Sequence, residues 1–454
     1  MSGTQCPESI STKLQRIAAL AQRRPDEGLT TLAHHIDVAW LEEAFRRTRK
    51  DGAPGVDGQN AEEYAENLEV NLESLLARFR SGRYRAPSVR RVHLPKGDGT
   101  TRAIAIPTLE DKILQRAVAM VLTEVYEQDF LPCSFGFRPG RSALQASEVL
   151  NEYAMKRGGG WVLEVDIQGF FDNLDHGHLR SFLDQRVRDG VLRRVIGKWL
   201  NAGVMEGGEV HRPTGGTPQG GVISPLLANI YLHVVLDEWF ENEVKPRLGG
   251  RAELVRYADD FVILLARESD ARRVLDVLPK RLGKYGLTLH PEKTRLVPFF
   301  RPKGRRKDRG GFGDGDDPPR PGTFTFLGFT HYWGKSRKGN WIPKRKTSKK
   351  SFAKGLRAIS HWLRDHRHWP LDEQHLGLTR ALKGHYGYFG ITGNADLIVT
   401  FRHRVYRRWF YWLNRRSHRG KMPWERYARL SKRYPLPPAV VVHSVYRRVA
   451  KSTT

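Results

Sequence analysis

Cysteine is nearly absent. Cys6 and Cys133 are the only two in 454 residues, which excludes a disulfide framework and a cysteine-based zinc site. Long apolar runs are missing too, and no stretch approaches the ~18 residues needed to span a bilayer. Near the start the only apolar patch is Ile17-Ala18-Ala19-Leu20, too brief for a secretory signal. These absences predict a cytoplasmic protein with no membrane partner. Acidic residues are scarce in one region only. Residues 301–454 hold 9 Asp+Glu against 36 Lys+Arg, whereas residues 1–300 are balanced at 40 against 41. Nearly all of the net charge of +28 therefore sits in the last third. A polyanion-binding appendage needs that placement, and a solubility device does not. The same third carries 7 of the 11 tryptophans and 9 of the 17 histidines. Cations interleaved with aromatics suit phosphates and unstacked bases, so nucleic acid is the expected partner.

What is present is enough for a folded protein. Hydrophobic residues make up 39% and the length suits about three domains of roughly 150 residues. No repeat of 20–50 residues is visible. Ile36 to Arg49 reads as an amphipathic helix, and Asp51 to Gly58 is turn chemistry. Tyr64, Leu68, Leu72, Leu75, Leu76 and Phe79 are then spaced for one helix face. A hairpin is predicted from Ser88 to Leu94 and Thr101 to Ile106, and a long helix from Asp111 to Phe130. Trp161 to Asp166 reads as a strand, with a helix from about Asn173 and another from Pro225 to Phe240. Leu254–Tyr257 and Phe261–Ala266 read as two strands, followed by a helix from Asp270 to Tyr285. This order fits a split βαβ sheet and an α+β fold. Residues 301–322 read as a flexible loop before a basic, helical stretch from Ser348 to Arg419.

The sharpest constellation is Tyr257-Ala258-Asp259-Asp260, two aspartates in a turn between apolar strands. Asp166 ends an apolar strand able to lie beside that hairpin. Carboxylates ~4 Å apart repel by roughly 4 kcal/mol at an effective dielectric of 20. A divalent cation relieves that cost, and two Mg²⁺ ions ~4 Å apart are a known way to activate a hydroxyl and stabilise a leaving pyrophosphate. Asp166 and Asp259 are the expected ligands, with Asp260 supporting. Asp172 and Asp175 suit helix capping instead. Gly215 to Gly221 lacks the Gly-Lys-Ser/Thr ending of a P-loop, which argues against an ATPase.

The chain resembles the reverse transcriptases encoded by bacterial group II introns, which double as RNA-splicing maturases. Tyr257-Ala258-Asp259-Asp260 matches their active-site hairpin, and Val165-Asp166-Ile167-Gln168-Gly169-Phe170-Phe171-Asp172 their first metal-binding motif. Further matches follow in family order. They are Leu94-Pro95-Lys96 through Ile106-Pro107-Thr108, Ser134-Phe135-Gly136-Phe137-Arg138-Pro139, and Thr217-Pro218-Gln219-Gly220-Gly221. Leu289-His290-Pro291-Glu292-Lys293-Thr294 comes next, then Phe326-Leu327-Gly328-Phe329. Leu382 to Gly390 matches the Gly-aromatic signature of the family's thumb and maturase region.

The resemblance implies a right-hand polymerase. Residues 1–34 would be an N-terminal extension, 35–335 fingers and palm, 336–420 a helical thumb/maturase domain, and 421–454 a basic tail that binds DNA. It implies catalysis at Asp166, Asp259 and Asp260, and metal held by Asp166, Ile167 and Asp259. Lys96, Arg102, Phe171, Gln219 and Lys293 would contact the nucleotide, with Phe171 excluding a 2′-hydroxyl. RNA would meet Arg402, Arg404, Arg407, Arg408, Trp409, Trp412, Arg415 and Arg416. Ten cations on single-stranded phosphates would give a slope of log K against log salt near about −7. His385 and His403 are expected to stack or pack rather than bind metal. The expected partners are intron RNA, an RNA template with DNA primer, dNTPs and target DNA, in a bacterial ribonucleoprotein. Many relatives carry a Cys- and His-containing endonuclease domain that is not found here, so second-strand cleavage is not expected. A freestanding reverse transcriptase of this lineage, acting in DNA repair or phage defence, is the first alternative. A non-catalytic RNA-binding splicing factor is the second.

Overall fold

A computed structural model describes residues 9–95, 101–206, 209–211, 220–302, 321–417 and 420–444. The chain divides into two compact units. One comprises Met1–Ala146 and Val165–Arg295, the other Ser147–Glu164 and Leu296–Thr454.

The first unit is built around the helix Leu109–Tyr126. Thr108 caps it by accepting the Asp111 backbone N–H, and 13 of its 18 residues are buried. A helix apolar on so many sides belongs in the interior rather than at a surface. Helices Ile10–Arg23 and Val38–Arg47 pack on it, and Trp40 Nε1 donates to the Ala117 carbonyl at 3.0 Å. The pattern from Tyr64 to Phe79 does not form one helix. It splits into Ala61–Ala65 and Leu68–Arg80, because Asn67 leaves the helical region at φ −126°, ψ 42°. The Asn71 side chain ties the two pieces by donating to the Tyr64 carbonyl.

Strands Val89–Pro95 and Thr101–Ile106 pair antiparallel with Leu94 opposite Arg102. Val204–Glu206 adds to this hairpin in parallel and Glu209–His211 follows it. The second sheet runs in the order Ala252–Tyr257, Asp260–Leu265, Gly159–Gln168, Thr288–Leu289. The helix Ser224–Leu232 continues as a π-helix, His233–Val244, so the Pro225–Phe240 pattern runs longer than expected and changes its winding.

In the second unit Phe324–Phe326, Phe329–Lys335 and Trp341–Thr347 form an antiparallel sheet that the helical reading of this region did not anticipate. Phe326-Leu327-Gly328-Phe329 is its first turn. Leu327 and Gly328 both have positive φ, 49° and 78°, the pattern of a hairpin turn that follows strand twist. Leucine is strained there, and Tyr388 Oη holds it by donating to the Leu327 carbonyl at 2.8 Å. Helices Lys349–Asp365, Leu371–Phe389, Ala395–Leu413 and Trp424–Arg433 follow. Their core holds Leu363, Leu378, Leu382, Phe401, Val405 and Trp409. Most of the predicted flexible loop, 303–320, lies outside the described residues.

A buried polar cluster ties the central helix of the first unit to the segment before Ser224. Asp111 accepts from Tyr84 Oη, from Trp199 Nε1 at 2.6 Å and from Gln115 Nε2 at 3.2 Å. Gln115 Oε1 in turn accepts the Val222 N–H at 2.8 Å. Burial pushes the Asp111 carboxyl up to about 6, although its hydrogen bonds oppose the rise. An unfolded aspartate titrates near about 3.9. The folded state therefore holds the extra proton between about pH 4 and 6, and stability present at acid pH is lost as pH rises through about 6. Asp111→Asn is expected to flatten that loss in urea midpoints taken from about pH 4 to 7. An unchanged pH slope would contradict the assignment.

Candidate active site

Three sequence segments meet around one buried arginine in the first unit. Arg256 is 0% exposed on a strand where Leu254 and Val255 are also buried. Its guanidinium pairs with Asp237, also 0% exposed, at 2.8 Å and 2.5 Å. It also donates to Asn229 Oδ1 at 2.9 Å, Ser134 Oγ at 2.8 Å and the Ala258 carbonyl at 3.1 Å. The last bond matters most for the site. Ala258 is the first residue of the two-residue turn between the paired residues Tyr257 and Asp260, and its φ is +56°. A non-glycine residue in that region costs roughly 1–2 kcal/mol, and the arginine contact offsets it.

The segment from Ser134 closes against the same turn. Phe135 N–H donates to the Arg256 carbonyl, and Arg256 N–H donates to Cys133, both at 2.8 Å. A Cβ on Gly136 would lie 2.3 Å from the Ala258 nitrogen, so only glycine allows this approach. Asn229 Nδ2 fixes Gly136 by donating to its carbonyl at 2.6 Å. Arg138, buried, ties its loop together by bonding Glu127 and the carbonyls of Leu131 and Ser134. Phe137 stands exposed between these anchors at φ +57°, its ring 6.2 Å from that of Tyr257.

Asp259, in the turn, and Asp166, on the Gly159–Gln168 strand, sense each other's charge. Burial raises the Asp259 carboxyl above its ordinary value and Asp166 adds to the rise, while Arg102 and Arg256 pull it down. Asp259 thus feels a second carboxylate and a guanidinium, Arg102 on the Thr101–Ile106 strand. Lys293 Nζ sits 2.9 Å from Asp166 Oδ2. Its turn is pinned by backbone, since His290 N–H donates to the Asp166 carbonyl at 2.8 Å. Ile167 is buried opposite Leu289. Asp260 opens the second strand of the hairpin, half-buried. Asp175 caps the next helix by accepting the His178 N–H.

Asp166 and Asp259 offer oxygen donors that would suit a hard divalent cation, and their mutual repulsion would give one a reason to bind. The Lys293 ammonium supplies part of that compensation here. Among the described residues no group of three or more His, Cys, Asp or Glu side chains comes together as a metal cluster. Phe170 is the core aromatic of its pair, buried against the half-exposed Phe171, with ring centroids 5.3 Å apart. Lys96 and Gln219 lie outside the described residues. Next to Gln219, Gly220 has φ +126°, and a Cβ on it would meet the Ala105 carbonyl at 2.4 Å.

Residues 94–331 match the reverse transcriptase (RNA-dependent DNA polymerase) family. The chain belongs to that family. Protein YkfC of Escherichia coli K12 is 33% identical over 329 residues, 63% of this chain and 84% of YkfC. The group II intron-encoded protein LtrA of Lactococcus lactis is 34% identical over 226 residues, 48% of this chain but 37% of LtrA. A putative COX1/OXI3 intron 1 protein of Saccharomyces cerevisiae is 26% identical over 321 residues, 60% of this chain and 38% of that protein. The likeness is to reverse transcriptases of the group II intron type, and the paired carboxylates lie inside the matched span.

In the second unit the expected RNA-facing residues of this reverse transcriptase divide. Arg404, Arg407, Arg408 and Arg415 are exposed. Trp409 is not on the surface. It is 0% exposed, and its Nε1 donates to Gln374 Oε1 at 2.9 Å, which makes it a core residue. Trp412 is half-buried with Nε1 on Ser360 Oγ. Arg402 and Arg416 spend their guanidinium groups on backbone carbonyls, Pro437 and Leu436 for one, Arg367 and Trp369 for the other. His385 stacks on Phe401 with centroids 3.7 Å apart, and burial pulls its imidazole down to about 4. His403 is exposed.

Arg256 and Asp237 carried no signal in the sequence beyond a charge among apolar residues. Arg256→Met is expected to destabilise the fold by about 3–5 kcal/mol, because Asp237 is left buried and unpaired. The double variant with Asp237→Leu should recover part of that loss in urea unfolding. A single variant as stable as wild type would contradict the role given to the pair.

Proposed function

We propose that the enzyme extends a primer 3′-hydroxyl along an RNA template at Asp166 and Asp259, and that it also binds a group II intron RNA, assisting its splicing and mobility. The observation that carries the polymerase reading is the electrostatic coupling of Asp259, in its hairpin turn, to Asp166 and Arg102 on two other strands. Two Mg²⁺ ions on Asp166, the Ile167 carbonyl and Asp259 would promote deprotonation of the 3′-hydroxyl and stabilise the leaving pyrophosphate. The chain's own residues do the rest. Arg102 and Lys96 hold the triphosphate by charge-assisted hydrogen bonds. Phe171 lies against the sugar and excludes a 2′-hydroxyl, and Gln219 contacts the nucleotide. Lys293, paired with Asp166 at 2.9 Å, would be free to contact the phosphates if that carboxylate held a cation. Asp260 supports the turn that presents Asp259.

The layout is that of fingers and palm with a basic helical thumb. Arg404, Arg407, Arg408 and Arg415 form the RNA surface, and the thumb supplies most of the affinity because residues 1–300 carry almost no net charge. Residues 421–454 contact target DNA, and the ribonucleoprotein works in the bacterial cytoplasm. The likeness to intron-encoded proteins supports this reading over a freestanding reverse transcriptase.

Asp259→Ala is expected to abolish primer extension while leaving splicing assistance largely intact. Loss of both in a folded variant would contradict two separable functions. Reversing the charges of Arg404, Arg407 and Arg408 should weaken RNA binding and make the slope of log K against log salt shallower by about 2. A slope matching wild type would place the RNA surface elsewhere.

A further inference from the structure

The helix Ala395–Leu413 buries Phe401, Val405, Trp409 and Leu413 on one side. Its last turns and the start of Trp424–Arg433 bound a cleft of about 640 Å³. Phe410, Tyr411 and Trp424 contribute aromatic surface, and Arg407 and Arg415 contribute charge. Tyr411 and Trp424 are 37% and 44% exposed and border the same cleft, so with Phe410 they form one patch rather than scattered surface rings. The cleft is built rather than incidental. Asn414 Oδ1 accepts the Met422 N–H at 2.6 Å, which ties the intervening segment to the helix end. Trp424 stands edge-on to Phe410 at 4.9 Å, and the Arg415 guanidinium lies 3.7 Å from the centre of the Tyr411 ring.

We propose that this cleft takes an unpaired nucleobase of a folded RNA, with Arg407 and Arg415 on its flanking phosphates. The inference rests on the RNA-binding role given above to the basic third and adds a ligand class to it. Aromatic faces flanked by guanidinium groups match a base with a phosphate on either side. The volume is that of a small-molecule site, far below a groove for a duplex. Among the described residues none that lines the cleft is a carboxylate, which disfavours a basic peptide. Bulged and looped bases are a property of folded RNA, whereas duplex DNA keeps its bases stacked.

The test uses the full chain and two hairpin RNAs, one fully paired and one carrying a single bulged fluorescent adenine analogue. The wild-type protein should bind the bulged hairpin about tenfold more tightly and quench its fluorescence. Tyr411→Ala and Trp424→Leu should each bring the affinity ratio close to one, while Tyr411→Phe retains it. The Tyr411 substitutions touch an exposed ring, so they keep the test valid if Trp424→Leu fails to fold. Equal wild-type affinity for both hairpins, with steep salt dependence, would overturn the base site and leave RNA binding in place. Absence of salt-dependent binding to either would overturn both. An equal preference for a bulged DNA hairpin would overturn RNA as the ligand.

Discussion

The turn that carries Asp259 depends on the buried pair of Arg256 and Asp237. A fully desolvated ion pair is a poor source of stability, because removing both charges from water costs nearly as much as their attraction returns. Its value here is positional. One planar guanidinium reaches Asp237 and Asn229 on the Ser224–Val244 helix, Ser134 on a loop, and the Ala258 carbonyl in the turn that carries Asp259. A lysine, a point charge with no fork, could not satisfy these acceptors together. The turn it holds has a left-handed alanine with a glycine backbone pressed against it, an arrangement with little freedom to drift.

Fixing that turn sets the electrostatics of the site. Asp259 is raised by burial and by Asp166, and the nearby cations relieve only part of this. A charged Asp259 is thus disfavoured by burial and by its acidic neighbour, which is the condition for recruiting a divalent cation. Lys293 places a positive charge 2.9 Å from the Asp166 carboxylate. The first two thirds of the chain contribute little net charge for gripping a polyanion, so chemistry and long-range attraction are divided between sequence regions.

The hairpin, the strand ending in Asp166 and the sheet that unites them were legible in the sequence, because two aspartates between apolar strands are costly without a purpose. The family resemblance added the expected nucleotide contacts, among which Arg102 lowers the Asp259 carboxyl by its charge. Arg256 was not legible, since a lone arginine in a strand reads as solvent-facing until its partners on distant segments are known. Trp409 was misplaced by the charges around it. The signal was available: Ile398, Phe401, Val405, Trp409 and Leu413 follow the three- and four-residue spacing of a buried helix face. The exposed rings Tyr411 and Trp424 lie off that stripe. The small sheet at 324–347 was not legible because its last strand carries a proline followed by three consecutive basic residues, and its first turn places a leucine at positive φ.

Primer extension on an RNA template with Mg²⁺, comparing wild type with Gly136→Ala, tests most directly whether the anchored turn governs polymerisation. The added methyl would overlap the Ala258 nitrogen and shift the turn without touching either carboxylate. Wild type should extend the primer, and the variant should remain folded but lose about a hundredfold in rate, as expected when reacting groups move by about 1 Å. Extension by Gly136→Ala at the wild-type rate, or none by wild type, would contradict it.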